Sequence, residues 1–339
     1  MAYAAHMFVR NRTAWLFAPV LLVLWVAVAV KAAPQESHPE PTVSSAPERA
    51  IRFAVIGAST SAGFGCSALD VRADGRYGDA VDLARFVKVA CSGRKCVVTD
   101  LASGYFFFSP IAQGRAQMDR ALKSKADAVL AIDYLFWYAY GSDGPTGELL
   151  KDESERAAKL EIGLAQLARC ECPMVIGDIP DMSRAVGKML SQSQLPKRET
   201  LTLLNARIQD WAKGRKNVCV IPLDGLSRDL RENGAITIDG TEWRAAKDEP
   251  LLQSDELHPT ARGLAGLAAI TLGSIEPLLP PALQSSCSRD PASILRALLA
   301  SLPKLPEPRA KPLAPAPSTA QPSAPPVSPP ANPPAKQAA

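Results

Sequence analysis

Arg52 to Cys66 reads RFAVIGASTSAGFGC, and this stretch decides the fold. Phe53-Ala54-Val55-Ile56 is an apolar, partly β-branched run of the length of a buried strand. It breaks into Gly57-Ala58-Ser59-Thr60-Ser61-Ala62-Gly63, small residues suited to a tight turn. A serine at the carboxyl end of a first strand stands where open α/β sheets form their ligand crevices. Ser59 is therefore a candidate nucleophile, and a serine nucleophile needs a base.

The base follows by elimination. The chain has three histidines, and His6 and His38 lie in segments without the pattern of a folded domain. That leaves His258, in Ser254-Asp255-Glu256-Leu257-His258-Pro259-Thr260. Asp255 stands three positions earlier, placed to hold one ring nitrogen while the other turns to Ser59. Together, Gly57-Ala58-Ser59 and Asp255-Glu256-Leu257-His258 resemble two blocks of the SGNH (GDSL-type) hydrolases. In that family a Gly-Asp-Ser block carries the nucleophile and an Asp-x-x-His block carries acid and base. The resemblance covers roughly residues 50–280. It implies an ester hydrolase with catalytic Ser59, Asp255 and His258, without metal or organic cofactor. The backbone N–H groups of Ser59 and Gly104 would form the oxyanion hole, Gly104 standing where the family's second block has its donor glycine.

One block departs from the family. Ala126 to Asp133 (ADAVLAID) is a buried strand, and the family usually ends this strand in Gly-x-Asn-Asp, whose asparagine donates to the oxyanion. Here the chain continues Asp133-Tyr134-Leu135-Phe136-Trp137-Tyr138, without asparagine. An ionised carboxylate accepts hydrogen bonds and donates none. Asp133, Tyr134 and Trp137, with Tyr138, are candidates to line a substrate cleft; the alternative for each aromatic is the core.

Further strands are expected at 96–101, 173–177 and 218–223, alternating with helices over 77–90, 111–124, 148–168, 201–211 and 259–272. Asp239-Gly240 marks a hairpin turn. Five strands alternating with helices predict a three-layer α/β/α sandwich around a five-stranded, mostly parallel sheet, flavodoxin-like in organisation. Competing motifs fail. Ser59 is followed by Thr60-Ser61 rather than by the x-Gly of a nucleophile elbow, and Gly57, Gly63 and Gly65 miss both the P-loop and dinucleotide spacings.

The ends read differently from the middle. Arg10 and Arg12 precede an uncharged apolar run, Ala14 to Val30, so residues 1–33 have the pattern of a signal peptide or an N-terminal membrane anchor. Residues 34–49 read as a disordered linker, 50–285 as the SGNH-like domain and 286–301 as a C-terminal helix. The tail, 302–339, holds thirteen of the thirty prolines; it reads as an extended spacer for a cell envelope or as a partner ligand. Export to a periplasm or cell envelope is the expected localisation. The net charge of +4 brings no face-sized basic cluster, which argues against nucleic acid.

Seven cysteines fit an oxidising compartment. Cys91 and Cys96 flank a short turn and are the candidate disulfide. Cys170 and Cys172 look too close to bridge each other, leaving Cys66, Cys219 and Cys287 as partners. A zinc site lacks a Cys-x-x-Cys pair and a nearby histidine. The expected partner is an ester, whether small molecule, lipid or acylated envelope glycan. The rival class is a non-catalytic binding module on the same fold.

Overall fold

The computed structural model describes residues 49–67, 80–93, 95–141, 150, 152–247, 249–284 and 287–302. All of them belong to the unit Glu48–Ala339. The signal-like segment, the linker up to residue 48 and the tail from 303 onward lie outside the described residues, as do parts of the expected helices at 77–90 and 148–168.

Five parallel strands form one sheet: β1 (Ile51–Val55), β2 (Cys96–Asp100), β3 (Ala128–Ala131), β4 (Met174–Gly177) and β5 (Val218–Ile221), in the order β2-β1-β3-β4-β5. The predicted sheet is the observed one. Successive β1 side chains go to opposite faces, and both faces are buried, so the strand reads as an unbroken apolar run. Phe53 and Val55 pack under α1 (Leu83–Ala90), α7 (Ala261–Ile275) and α8 (Pro291–Ser301). Ala54 and Ile56 join the opposite core beneath α2 (Pro110–Lys123), α4 (Glu153–Leu167) and α5 (Arg198–Lys213). Order β2-β1-β3 puts the reversal of strand order beside β1, so the crevice forms at that strand's carboxyl end.

Local chemistry sets the helix starts. Asp82 is extended and its carboxylate accepts from Arg85 N–H at 2.7 Å, so α1 begins at Leu83 rather than near residue 77. Thr260, not Pro259, caps α7, its hydroxyl accepting from Gly263 N–H. Two helices escaped the sequence pattern: α3 (Phe136–Tyr140) and α6 (Leu223–Asn233). The hairpin is present as β6 (Ala235–Ile238) and β7 (Thr241–Arg244), with Asp239 and Gly240 both at positive φ as a tight hairpin turn requires.

The disulfides differ from expectation. Cys91 pairs with Cys287, not with Cys96, and Cys170 pairs with Cys172. Cys91 ends α1 on one face of the sheet, where Ser288 N–H bonds Ala90 O at 2.8 Å, whereas Cys96 starts edge strand β2 opposite Ile51. The first bridge closes a sequence separation of 196 and ties α8 to α1; the second spans a separation of 2. In the chain-entropy view the long loop stabilises by about 5 kcal/mol and the short one by under about 2 kcal/mol. Cys91→Ser/Cys287→Ser is therefore expected to lower the urea midpoint far more than Cys170→Ser/Cys172→Ser does. Equal shifts would show that loop length does not govern these bridges.

Candidate active site

Ser59 sits in a turn that begins two residues beyond β1, and the turn is pinned from several sides. Gly57 N–H donates to Gln117 Oε1 at 2.8 Å, and Gln117 Nε2 returns a bond to Gly57 O at 2.9 Å. Ser103 N–H also reaches Gly57 O. Gln117, on α2, is 3 % exposed, so this amide pair is shielded from water. Gly57 has φ +149°, and a side chain there would collide with the Asp133 carboxylate and Ser61. Only glycine fits.

Asp133, two residues past β3, organises the rest of the turn. Its Oδ1 accepts from Ala58 N–H (3.0 Å) and Ser61 Oγ–H (2.6 Å), and its Oδ2 from Thr60 N–H (2.9 Å) and Ser61 N–H (3.1 Å). Burial pushes its pKa above the ordinary carboxyl range, while these four donors pull it down. Asp133 lines the cleft as expected, but as the anchor of the turn that presents Ser59. The Ser59 N–H is skipped by this set and has no acceptor among the described residues. The Gly104 N–H is likewise uncommitted there, and a Cβ on Gly104 would meet only the Phe64 ring, at 3.7 Å.

The Asp255–His258 loop closes on the same turn. Asp255 Oδ1 accepts from the N–H groups of Leu257 (2.9 Å) and His258 (3.0 Å), and its Oδ2 lies 2.7 Å from His258 Nδ1. Burial works against the Asp255 charge, but these donors outweigh it and hold its carboxyl below the ordinary range. Because a carboxylate only accepts, Nδ1 carries the ring proton of the neutral imidazole and Nε2 keeps a lone pair. His258 is 2 % exposed, and its Nε2 is buried without any partner among the described residues. Glu256 holds φ +61°, a strained conformation for a non-glycine residue, and Lys188 Nζ–H donates to the neighbouring Ser254 O at 3.0 Å.

Gln253 joins the two loops. Its Nε2 donates to Phe64 O (2.9 Å) and to Pro259 O (2.8 Å), while its N–H bonds His258 O. The Phe64 ring then lies 4.8 Å from the His258 ring. The fold thus brings Ser59, Gly104, Asp255 and His258 into one neighbourhood, although Ser59 Oγ and His258 Nε2 are not hydrogen-bonded here. Such bonds often tighten only around a substrate. Gln117 and Gln253 carried no sequence signal, since an isolated glutamine is ordinary in loops and helices.

Beside Ser59 lies a cleft of about 850 Å³ of empty space, solvent mouth included. Its wall is α6, where Leu223, Leu226 and Leu230 form a stripe at helical spacing. No α6 residue is fully buried: the stripe packs against the core edge and also lines the open cleft. Tyr134 and Trp137 do not line it. Tyr134 is fully buried under α2 and Trp137 faces a separate cavity, since α3 turns this segment away from β1.

Asp178, just past β4, also lines the cleft. Its Oδ1 accepts Asp224 N–H at 2.9 Å, capping α6, and burial pushes its pKa up to about 6. Between the ordinary value near 4 and 6, the native state holds a proton that the unfolded chain has released. Stability from this group therefore falls as pH rises through that window, by about 3 kcal/mol at most. Asp178→Asn keeps an acceptor for the cap and removes the charge. It is expected to gain stability relative to wild type between pH 4 and pH 8 in urea titrations, and a constant difference across that range contradicts this.

No protein-family model matches the chain, and no curated protein matches it either. Solved structures that align with it include a lipase/acylhydrolase from Enterococcus faecalis, at 19 % identity over 68 % of this chain and 98 % of that one, with a TM-score of 0.41. A putative GDSL-like lipase from Parabacteroides merdae aligns at 11 % identity over 67 % and 96 %, with a TM-score of 0.42. A gut microbial diltiazem-metabolizing enzyme aligns at 11 % identity and a TM-score of 0.42; the chain spans 47 % of its length.

Proposed function

We propose that this chain is a serine ester hydrolase whose acyl group enters the apolar cleft beside Ser59. The observation that carries the reading is the His258 ring. Its Nδ1 is locked by Asp255, and its Nε2, next to the Ser59 turn, is buried with no partner among the described residues. A buried nitrogen without a partner is costly unless a reacting group completes it. In the proposed reaction Nε2 takes the Ser59 proton as Oγ attacks the ester carbonyl. The Ser59 and Gly104 N–H groups receive the oxyanion. His258 then protonates the departing alkoxide, and water repeats the sequence to release the acid.

The leucine stripe of α6 supports an apolar acyl group. The signal-like residues 1–33 support export to the periplasm or cell envelope, with substrates such as lipids, small esters or acylated glycans. One observation favours a second reading, a glycan- or protein-binding module: Asp133 leaves the oxyanion without a side-chain donor at that position.

The test is turnover of a short-chain nitrophenyl ester by the full chain, with a fluorophosphonate probe located by mass spectrometry. Label on Ser59 together with turnover is the expected result. A folded protein that neither turns over the ester nor takes the label would leave the binding-module reading.

A further inference from the structure

The turn that presents Ser59 ends in a phenylalanine whose ring touches two members of the proposed reaction centre. Phe64 N–H donates to Ser59 O at 2.9 Å, so its backbone belongs to that turn. Gly63 and Gly65 flank it, at φ +67° and +64°. A Cβ on Gly63 would strike Val81 O, and one on Gly65 would strike the Gln253 side-chain amide. Both positions therefore require glycine. Gln253 Nε2 also donates to Phe64 O at 2.9 Å, so the ring is presented from a backbone held on both sides.

The Phe64 ring lies 4.8 Å from the His258 ring, centroid to centroid, and is tilted from it by 37°. A Cβ placed on Gly104 would stand 3.7 Å from the same ring. One side chain thus reaches from the proposed base to the proposed oxyanion donor. Phe64 is not part of the wall of the leucine cleft, although Ser59 is. It bounds the reaction centre on a different side from the acyl cleft.

The reaction assigns that side. His258 Nε2 must reach the departing alkoxide to protonate it. The carbons attached to that oxygen consequently lie along the imidazole, and the ring packed on the imidazole is Phe64. We propose that Phe64 selects the alcohol of the ester, and that the favoured class is an arylmethyl alcohol. Its ring packs on Phe64 while the acyl chain occupies the leucine cleft. An aromatic pair gains from offset or edge-to-face packing beyond the area it buries, which a saturated ring of the same size does not. The inference rests on ester hydrolysis at Ser59.

The test compares benzyl hexanoate with cyclohexylmethyl hexanoate, which share the acyl group and the carbon count of the alcohol. The full chain is expected to favour the benzyl ester about fivefold in kcat/KM, the order expected of one aromatic pair. Phe64→Leu keeps an apolar side chain on the same backbone and is expected to bring the ratio to unity. Phe64→Tyr, which keeps the ring, is expected to retain the preference. A wild-type ratio of unity, or a preference that survives in Phe64→Leu, overturns the proposal and leaves hydrolysis standing.

Binding is read apart from turnover. The His258 ring ¹³C–¹H resonance, assigned by its loss in His258→Ala, is followed as benzyl alcohol or cyclohexylmethanol is added. Benzyl alcohol is expected to move it saturably and cyclohexylmethanol to move it less, a difference that Phe64→Leu abolishes. If neither ester is turned over and the fluorophosphonate leaves Ser59 unlabelled, the hydrolase reading fails. The titration then decides Phe64 by itself: equal shifts from the two alcohols, or none, overturn its selection of an aromatic ring.

Discussion

His258→Ala is expected to reduce ester turnover by a factor of 10⁴ to 10⁶ in kcat, and Ser59→Ala by a similar factor. Under the proposed mechanism the two losses should not add, because a nucleophile and its base act as one unit and removing either idles the other. Stability should move little for Ser59→Ala, since Ser59 is partly exposed and its hydroxyl has no hydrogen-bond partner among the described residues. His258→Ala removes a buried ring packed on Phe64 and strands the Asp255 carboxylate, so some loss of stability accompanies it. Steady-state kinetics on all three proteins, with circular dichroism to confirm folding, decide the matter. Folded variants that retain wild-type kcat would remove both residues from the mechanism.

Asp133→Ala carries the second large effect, on structure and on rate together. It strands three backbone N–H groups and the Ser61 hydroxyl around a buried hole. Unpaired buried donors cost about 1–3 kcal/mol each, with some relief from entering water, so a net loss on the order of 3 kcal/mol is expected. The Ser59 turn should loosen and kcat fall with it. Asp133→Asn separates anchoring from oxyanion binding. Both carboxylate oxygens already accept from the turn, so an amide must aim its NH₂ at a donor and cannot reach the oxyanion without breaking the turn. Lower melting temperature and lower kcat are the expected pair. A rise in kcat for Asp133→Asn would show that this position serves the oxyanion and not the turn.

These expectations explain which residues were legible before the structure. Ser59, Asp255 and His258 stand out as candidates because their context is local: a strand that ends in small residues, and a carboxylate three positions before the one histidine among the described residues. The sheet was equally legible, because β1, β3 and β4 are buried on both faces and read as short apolar runs between helical patterns. Helix α6 was not. Its leucines are shared between the core edge and the open cleft, and it starts directly after Pro222 with Gly225 in its first turn, so it carries no full buried stripe to mark it. The aromatics after Asp133 were open between a cleft wall and the core, and α3 decides it: Tyr134 packs into the core and Trp137 lines a separate cavity.

By itself the sequence determined the α/β alternation and singled out Ser59, Asp255 and His258 as candidates, because periodicity and short motifs act over a few neighbouring residues. Only the tertiary structure decided that Cys91 meets Cys287, that Gln117 and Gln253 fasten the Ser59 turn and the Asp255–His258 loop, and that Asp133 anchors the turn. Each of those depends on residues far apart in the chain, brought within hydrogen-bonding or bonding distance by packing that no local pattern encodes.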